Sequence, residues 1–189
     1  MDSFRWIAVV LSMILGLGIT RLLSASVAVF RSRTHSRLDW VPLVWAGCIF
    51  MWQLQFWWAI IELPALVKTW SVGYFLTLVT LTLLLFVSAA LVLPPLELKD
   101  GESLQDSFER DGRWSLLSLS AYFLLALAVD WVFWHVSPFS NGGGLLVPLM
   151  ILPLVFLWTK SRRVQEAITL LYVPISTWAA SVLSPASYT

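Results

Sequence analysis

Three ionisable side chains stand within long apolar stretches, where a charge is costly unless it has a partner or a function. They are Arg21 in GLGITRLL, Glu62 at the end of WVPLVWAGCIFMWQLQFWWAIIE, and Asp130 in AVDWVFWH. A carboxylate there can bind a cation or exchange protons, and a guanidinium can bind an anionic headgroup or solute. The structural alternatives are an interfacial acid for Glu62, pairing with Arg5 for Asp130, and snorkelling or a bond to a neighbouring carbonyl for Arg21.

One of these acids shares a helix face with aromatic and amide side chains. Spacings of three and four residues place six side chains on one face of a helix: Trp45, Cys48, Trp52, Gln55, Ala59 and Glu62. Such a face fits a protein interior or a cavity, and indole rings attract cations. The predicted residues of a pathway or ligand site are Arg21, Trp52, Gln55, Glu62 and Asp130.

The chain lacks the residue patterns that cofactors and catalytic centres need. His35 and His135 fall on opposite sides of the predicted membrane, so they cannot share a haem or metal, and no Cys/His cluster has zinc spacing. The nearness of Ser137 to His135 in sequence is not enough to indicate a nucleophilic catalytic site. We therefore expect no enzyme, no cofactor and no metal, and a net charge of +1 argues against a nucleic-acid partner.

Membrane helices are the elements that must position these residues. Of 189 residues, 59% are apolar and 12% are charged, whereas soluble domains have about 25% charged residues. Since about 20 apolar residues cross a bilayer, the chain predicts an all-α bundle of six transmembrane helices in a single domain over 1–189. The predicted spans are 4–28, 40–62, 70–93, 114–136, 145–159 and 164–183, with 94–113 as the longest loop. In that loop, Leu104 and Phe108 could form a short interfacial helix.

Lysine and arginine residues favour the cytoplasmic side of a membrane. Nine of them lie in 31–37, 99–113 and 160–163, whereas the loops on the other side hold only Arg5 and Lys68. This asymmetry predicts that loop 94–113 is cytoplasmic and that both termini lie outside the cytoplasm.

Span one carries small residues at every fourth position, which lets another helix approach closely. The predicted helix–helix interface is Ser12, Gly16, Thr20 and Ser24. Its partner is either another helix of the same chain or a second copy in a homo-oligomer.

Span five is short and contains Pro148 and Pro153. This pattern is typical of the broken helices of transporters, and also of a kinked helix that only packs. VPLVWAGCIFMW in span two and VPLMILPLVFLW in span five share several residues, which would fit an inverted repeat or chance similarity of apolar segments.

The series LGLGITRLLSA, a basic turn, WVPLVWA and QLQFWWA resembles a set of small, uncharacterised bacterial inner-membrane proteins with six spans. The resemblance covers most of the chain and implies a multi-pass protein of the bacterial plasma (inner) membrane, in contact with lipid. It brings no function, ligand or catalytic residue. The residues favour a small-solute or ion pathway. The alternatives are an oligomerising accessory subunit and lipid-headgroup binding at Arg21.

Overall fold

The computed structural model describes residues 2–34, 36–61, 63–67, 70–98, 101–134 and 143–183. Within these ranges lie six long helices: α1 (Asp2–Arg31), α2 (Trp40–Ile60), α3 (Val72–Leu91), α4 (Arg113–Trp134), α5 (Gly143–Trp158) and α6 (Arg162–Leu183). No strand occurs in the described ranges, so the all-α prediction is confirmed. Five of the helices are long and apolar enough to cross a membrane, as a multi-pass membrane protein requires.

The sixth helix, α5, has 16 residues. At 1.5 Å per residue it is about 24 Å long, less than the roughly 30 Å of a hydrocarbon core. Six crossings therefore stay a prediction, as does the side of the membrane on which the termini lie.

Local signals set several helix ends. The Asp39 carboxylate accepts a hydrogen bond from the Val41 N–H at 2.8 Å and caps α2, and the Ser71 hydroxyl caps α3. Helix α3 ends at Leu91, shortly before Pro94, because the residue that precedes a proline disfavours helical backbone.

The predicted short helix at Leu104 and Phe108 exists, and its interfacial position stays a prediction. Leu104–Ser107 is helical and continues through a π-helical turn, Phe108–Gly112, into α4. Leu104 is fully buried and Phe108 nearly so, because both side chains point into the bundle.

The six helices close into a ring by pairwise contacts, in the order α1, α3, α4, α5, α6, α2 and back to α1. Helix α2 also contacts α3. It supplies the two bulkiest fully buried side chains, Trp45 and Trp52. Burial of the predicted α2 face is confirmed for these two residues and for Cys48.

Helices α2 and α6 run parallel in a fixed register. The Trp45 indole N–H donates to the Thr169 hydroxyl at 3.2 Å, and the Trp52 indole N–H donates to the Ser176 hydroxyl at 2.7 Å. Both pairs are 124 residues apart in sequence. The separation from Trp45 to Trp52 on α2 therefore equals the separation from Thr169 to Ser176 on α6, about two helical turns.

The arginine-bearing connections meet at one end of the bundle, here called the basic end. Arg37 exchanges backbone hydrogen bonds with Glu102 and Leu104, at 3.3 and 3.1 Å. At the same end Arg162, in the first turn of α6, donates to both oxygens of Asp39 at 2.6 and 2.5 Å. Helix order then places the start of α1 and the end of α6 at the opposite end.

Candidate functional site

A cavity of about 210 Å³ lies between α2, α3 and α4, in the half of the bundle away from the basic end. The C-terminal halves of α2 and α4 form two of its walls. Helix α2 contributes Trp52, Gln55, Phe56, Ala59 and Ile60. Helix α4 contributes Tyr122, Phe123, Ala126, Val129 and Asp130. Both sets follow the three- and four-residue spacing that places side chains on one helix face.

The remaining wall is apolar. It consists of five leucines from the neighbouring elements, namely Leu63, Leu78, Leu81, Leu146 and Leu183. The polar groups of the lining are therefore few, and they come from α2 and α4.

Aromatic rings in edge-to-face contact make up much of the lining. The Trp52 and Phe123 ring centroids are 4.9 Å apart with an interplanar angle of 84°, and the Phe123 and Tyr122 centroids are 5.0 Å apart. Phe56 meets Tyr122 at 6.2 Å. The Trp52 indole N–H is already used by Ser176, so Trp52 offers the cavity its carbon surface.

Asp130 is the ionisable carboxylate of the lining. It is half-buried, and it forms no hydrogen bond or ion pair with any residue that the structure describes. The expected partner Arg5 is exposed and does not pair with it, so the prediction of that ion pair is wrong. A carboxylate among apolar walls is costly without a partner, which makes Asp130 the centre of the candidate site.

Between the cavity and the basic end, buried rings fill the core. The Trp45 and Tyr172 ring centroids are 4.4 Å apart with a tilt of 39°, and Trp45 meets Phe156 edge-on at 5.7 Å. Phe156 in turn contacts Phe108 at 5.9 Å. The cavity is thus separated from the basic end by packed aromatic side chains and, beyond them, by the ion pair of Asp39 with Arg162.

The structure brings together three of the five predicted pathway residues: Trp52, Gln55 and Asp130. Arg21 lies on α1, away from the cavity lining, and its guanidinium donates to the Ala90 carbonyl at 3.2 Å. That carbonyl belongs to the last turn of α3, where acceptors lack helical partners and the helix dipole favours a cation. This contact is the structural alternative foreseen for Arg21. Glu62 lies outside the described residues, as do His35, His135 and Ser137.

The small-residue stripe of α1 is not the face that α1 turns to the bundle. That face consists of Leu11, Leu15, Gly18, Leu22, Ala25 and Val29. Ser12 and Gly16 are half-buried, whereas Thr20 and Ser24 are exposed. A Cβ atom added at Gly16 would have no neighbour within 4 Å. The stripe therefore carries little packing within the chain.

Sequence reasoning missed the role of Gly18 and Gln53. The Gln53 side chain is fully buried, and neither atom of its amide has a hydrogen-bond partner among the described residues. A Cβ atom added at Gly18 would lie 2.2 Å from the Gln53 Nε2. Gly18 thus makes the space in which this amide sits. The only sequence signal was that Gln53 and Gln55 point in different directions on a helix.

No family model, no curated protein and no solved structure matches the chain. What the site does has to be inferred from its own geometry and chemistry.

Proposed function

We propose that the protein is a multi-pass membrane protein that takes a small solute or ion into the cavity between α2, α3 and α4, as one step of a path across the membrane. The observation that carries this proposal is that Trp52 and Gln55 of α2 and Asp130 of α4 line one cavity. Polar and ionisable residues inside a membrane mark substrate and ion pathways, because their burial is costly otherwise.

Packed side chains separate the cavity from the basic end. Toward the basic end the solute meets the rings of Trp45 and Tyr172 and the ion pair of Asp39 with Arg162. Passage in that direction requires these contacts to open. Loading of the cavity and passage through the bundle are therefore separate events in this proposal.

Thiol labelling tests whether water reaches the cavity. In a Cys48→Ala background, Ala126→Cys places a thiol in the cavity wall, and Leu124→Cys places one on the exposed surface of the same helix. We expect a cationic methanethiosulfonate reagent to modify Ala126→Cys and to leave Leu124→Cys unmodified in membranes, because the reagent does not enter hydrocarbon.

Asp106→Cys, exposed on the short helix Leu104–Ser107, serves as the positive control. Failure to modify Ala126→Cys while Asp106→Cys reacts in permeabilised membranes would show a dry cavity and overturn the proposal. Reaction of Leu124→Cys at the same rate as Ala126→Cys would show that α4 does not face lipid.

A second candidate function, an oligomerising accessory subunit, is favoured by the stripe on α1. Thr20 and Ser24 are exposed, and the surface over Gly16 is open, as a contact with a second copy would need. Gly16→Leu is then expected to shift the protein to a smaller species in light scattering of the detergent-solubilised sample. An unchanged mass would remove this alternative.

A further inference from the structure

We propose that the cavity selects a small organic cation, namely a protonated amine carried on a body about the size of one aromatic ring. The inference rests on the proposed function, because it names the class of solute for the same cavity. It follows from the charge, the lining and the size of the site.

The charge of the lining has one sign. Asp130 contributes a carboxylate, and no lysine, arginine or histidine of the described chain lines the cavity. An anionic solute would meet this carboxylate without a compensating charge, whereas an ammonium group would supply the partner that Asp130 does not find among the described residues. Specificity then arises as much from repulsion of anions as from attraction of cations.

The rings of the lining favour the same class. Trp52, Phe56, Tyr122 and Phe123 surround the space with aromatic surface. Aromatic faces attract organic ammonium groups, and desolvation in an apolar site strengthens that attraction. A neutral hydrocarbon would fill the same space but would offer Asp130 no charge partner.

Size and donor chemistry exclude a bare metal ion as the preferred occupant. A cavity of about 150 Å³ holds benzene, so about 210 Å³ admits a ring with a short amine chain. Calcium needs six to eight oxygen ligands, and the described lining offers the side-chain oxygens of Gln55, Tyr122 and Asp130. Most of the wall would stay unfilled around a metal ion.

The test uses three probes of nearly equal size that differ in charge: 2-phenylethylammonium, 2-phenylethanol and phenylacetate. Binding to the full chain in lipid nanodiscs is measured by equilibrium dialysis of radiolabelled probe. We expect the ammonium to bind at least about tenfold more tightly than the alcohol and phenylacetate to bind least, since loss of a buried charge partner has an effect of this order.

Two variants locate the effect and a third controls for charge. Asp130→Asn should abolish the preference for the ammonium over the alcohol, and Ala126→Leu, which fills the cavity, should weaken both. Asp106→Asn removes an exposed carboxylate elsewhere and should change neither.

Equal binding of ammonium and alcohol by the unmodified protein, tighter binding of phenylacetate, or no binding of any probe would overturn the inference. So would an unchanged preference in Asp130→Asn. Labelling of Ala126→Cys reports whether a reagent in water reaches the cavity, and it does not compare a cation with a neutral probe of the same size. A wet cavity without cation preference therefore defeats this inference alone, whereas a dry cavity defeats the proposed function.

Discussion

Asp130 and Arg21 both interrupt apolar helices, yet their surroundings differ. Arg21 reaches a carbonyl at the end of α3, which satisfies part of its hydrogen-bonding capacity within the chain. Asp130 has no such contact with the described residues and faces a cavity instead. The cost of burying an ionisable group is thus met within the chain at Arg21, and we propose that a ligand meets it at Asp130.

Gly18 is one of two described glycines, with Gly112, at which the packing leaves no room for a methyl group. Gly18→Ala would force the buried Gln53 amide to move, because the new Cβ atom would lie 2.2 Å from its Nε2 and 3.5 Å from the Phe86 Cα. We expect a loss of about 1–2 kcal/mol of stability, typical of overpacking, measured by unfolding in mixed detergent micelles.

Gly16→Ala is the matched control for this experiment. It lies on the same helix with nothing within 4 Å of the new Cβ atom, so it should be neutral or slightly stabilising, within about 1 kcal/mol. Gln53→Ala combined with Gly18→Ala should recover most of the packing loss. Equal effects of the two glycine substitutions would contradict the close packing of Gln53 against Gly18.

At the scale of elements, the contact of α2 with α6 depends on side-chain hydrogen bonds as well as on burial. Thr169 accepts from the Trp45 indole and itself donates to the Gln165 carbonyl at 2.8 Å, so the hydroxyl is used in both directions. Indole and hydroxyl groups buried together in an apolar bundle would each lose a partner if either helix slipped. The register is therefore specified by polar groups.

A double-mutant cycle on Trp45 and Thr169 tests this register. Thr169→Val keeps the side-chain shape and removes the hydroxyl, and Trp45→Phe removes the indole N–H. We expect a coupling energy of about 0.5–1.5 kcal/mol in detergent unfolding, the range found for hydrogen bonds between membrane helices. Thr177→Val is the control, because Thr177 is exposed on α6 and bonds only to Val173 among the described residues. Its coupling to Trp45→Phe should be zero.

The faces of the helices could be predicted from the sequence because helical period is a local property. The spacing of Trp45, Cys48 and Trp52 was enough to predict their burial. Counting back from Asp130 in steps of three and four residues reaches Ala126, Phe123 and Tyr122, which line the cavity. The sequence therefore contained a usable signal for this wall. Which helices contact each other could not be predicted in this way. Trp45 and Thr169 are 124 residues apart, and no repeating pattern in the sequence links two helices at such a distance.

At the scale of the whole molecule, α5 is the element that does not fit a simple bundle of equal spans. It has 16 residues and contains Pro148 and Pro153, yet α6 begins beside Asp39 at the basic end. A helix of about 24 Å can connect the two ends if the bilayer thins locally or flanking residues extend its reach. We therefore predict that α5 is a short crossing and does not turn back.

The side and number of the crossings can be tested with three cysteines in the Cys48→Ala background. Val72→Cys lies at the exposed start of α3, Asp106→Cys on the short helix Leu104–Ser107 at the basic end, and Ser161→Cys just before α6. If arginine-rich connections stay in the cytoplasm, an impermeant maleimide should label only Val72→Cys in intact cells, and the other two after permeabilisation. Labelling of Ser161→Cys in intact cells would show that α5 does not cross, and labelling of Asp106→Cys in place of Val72→Cys would reverse the orientation.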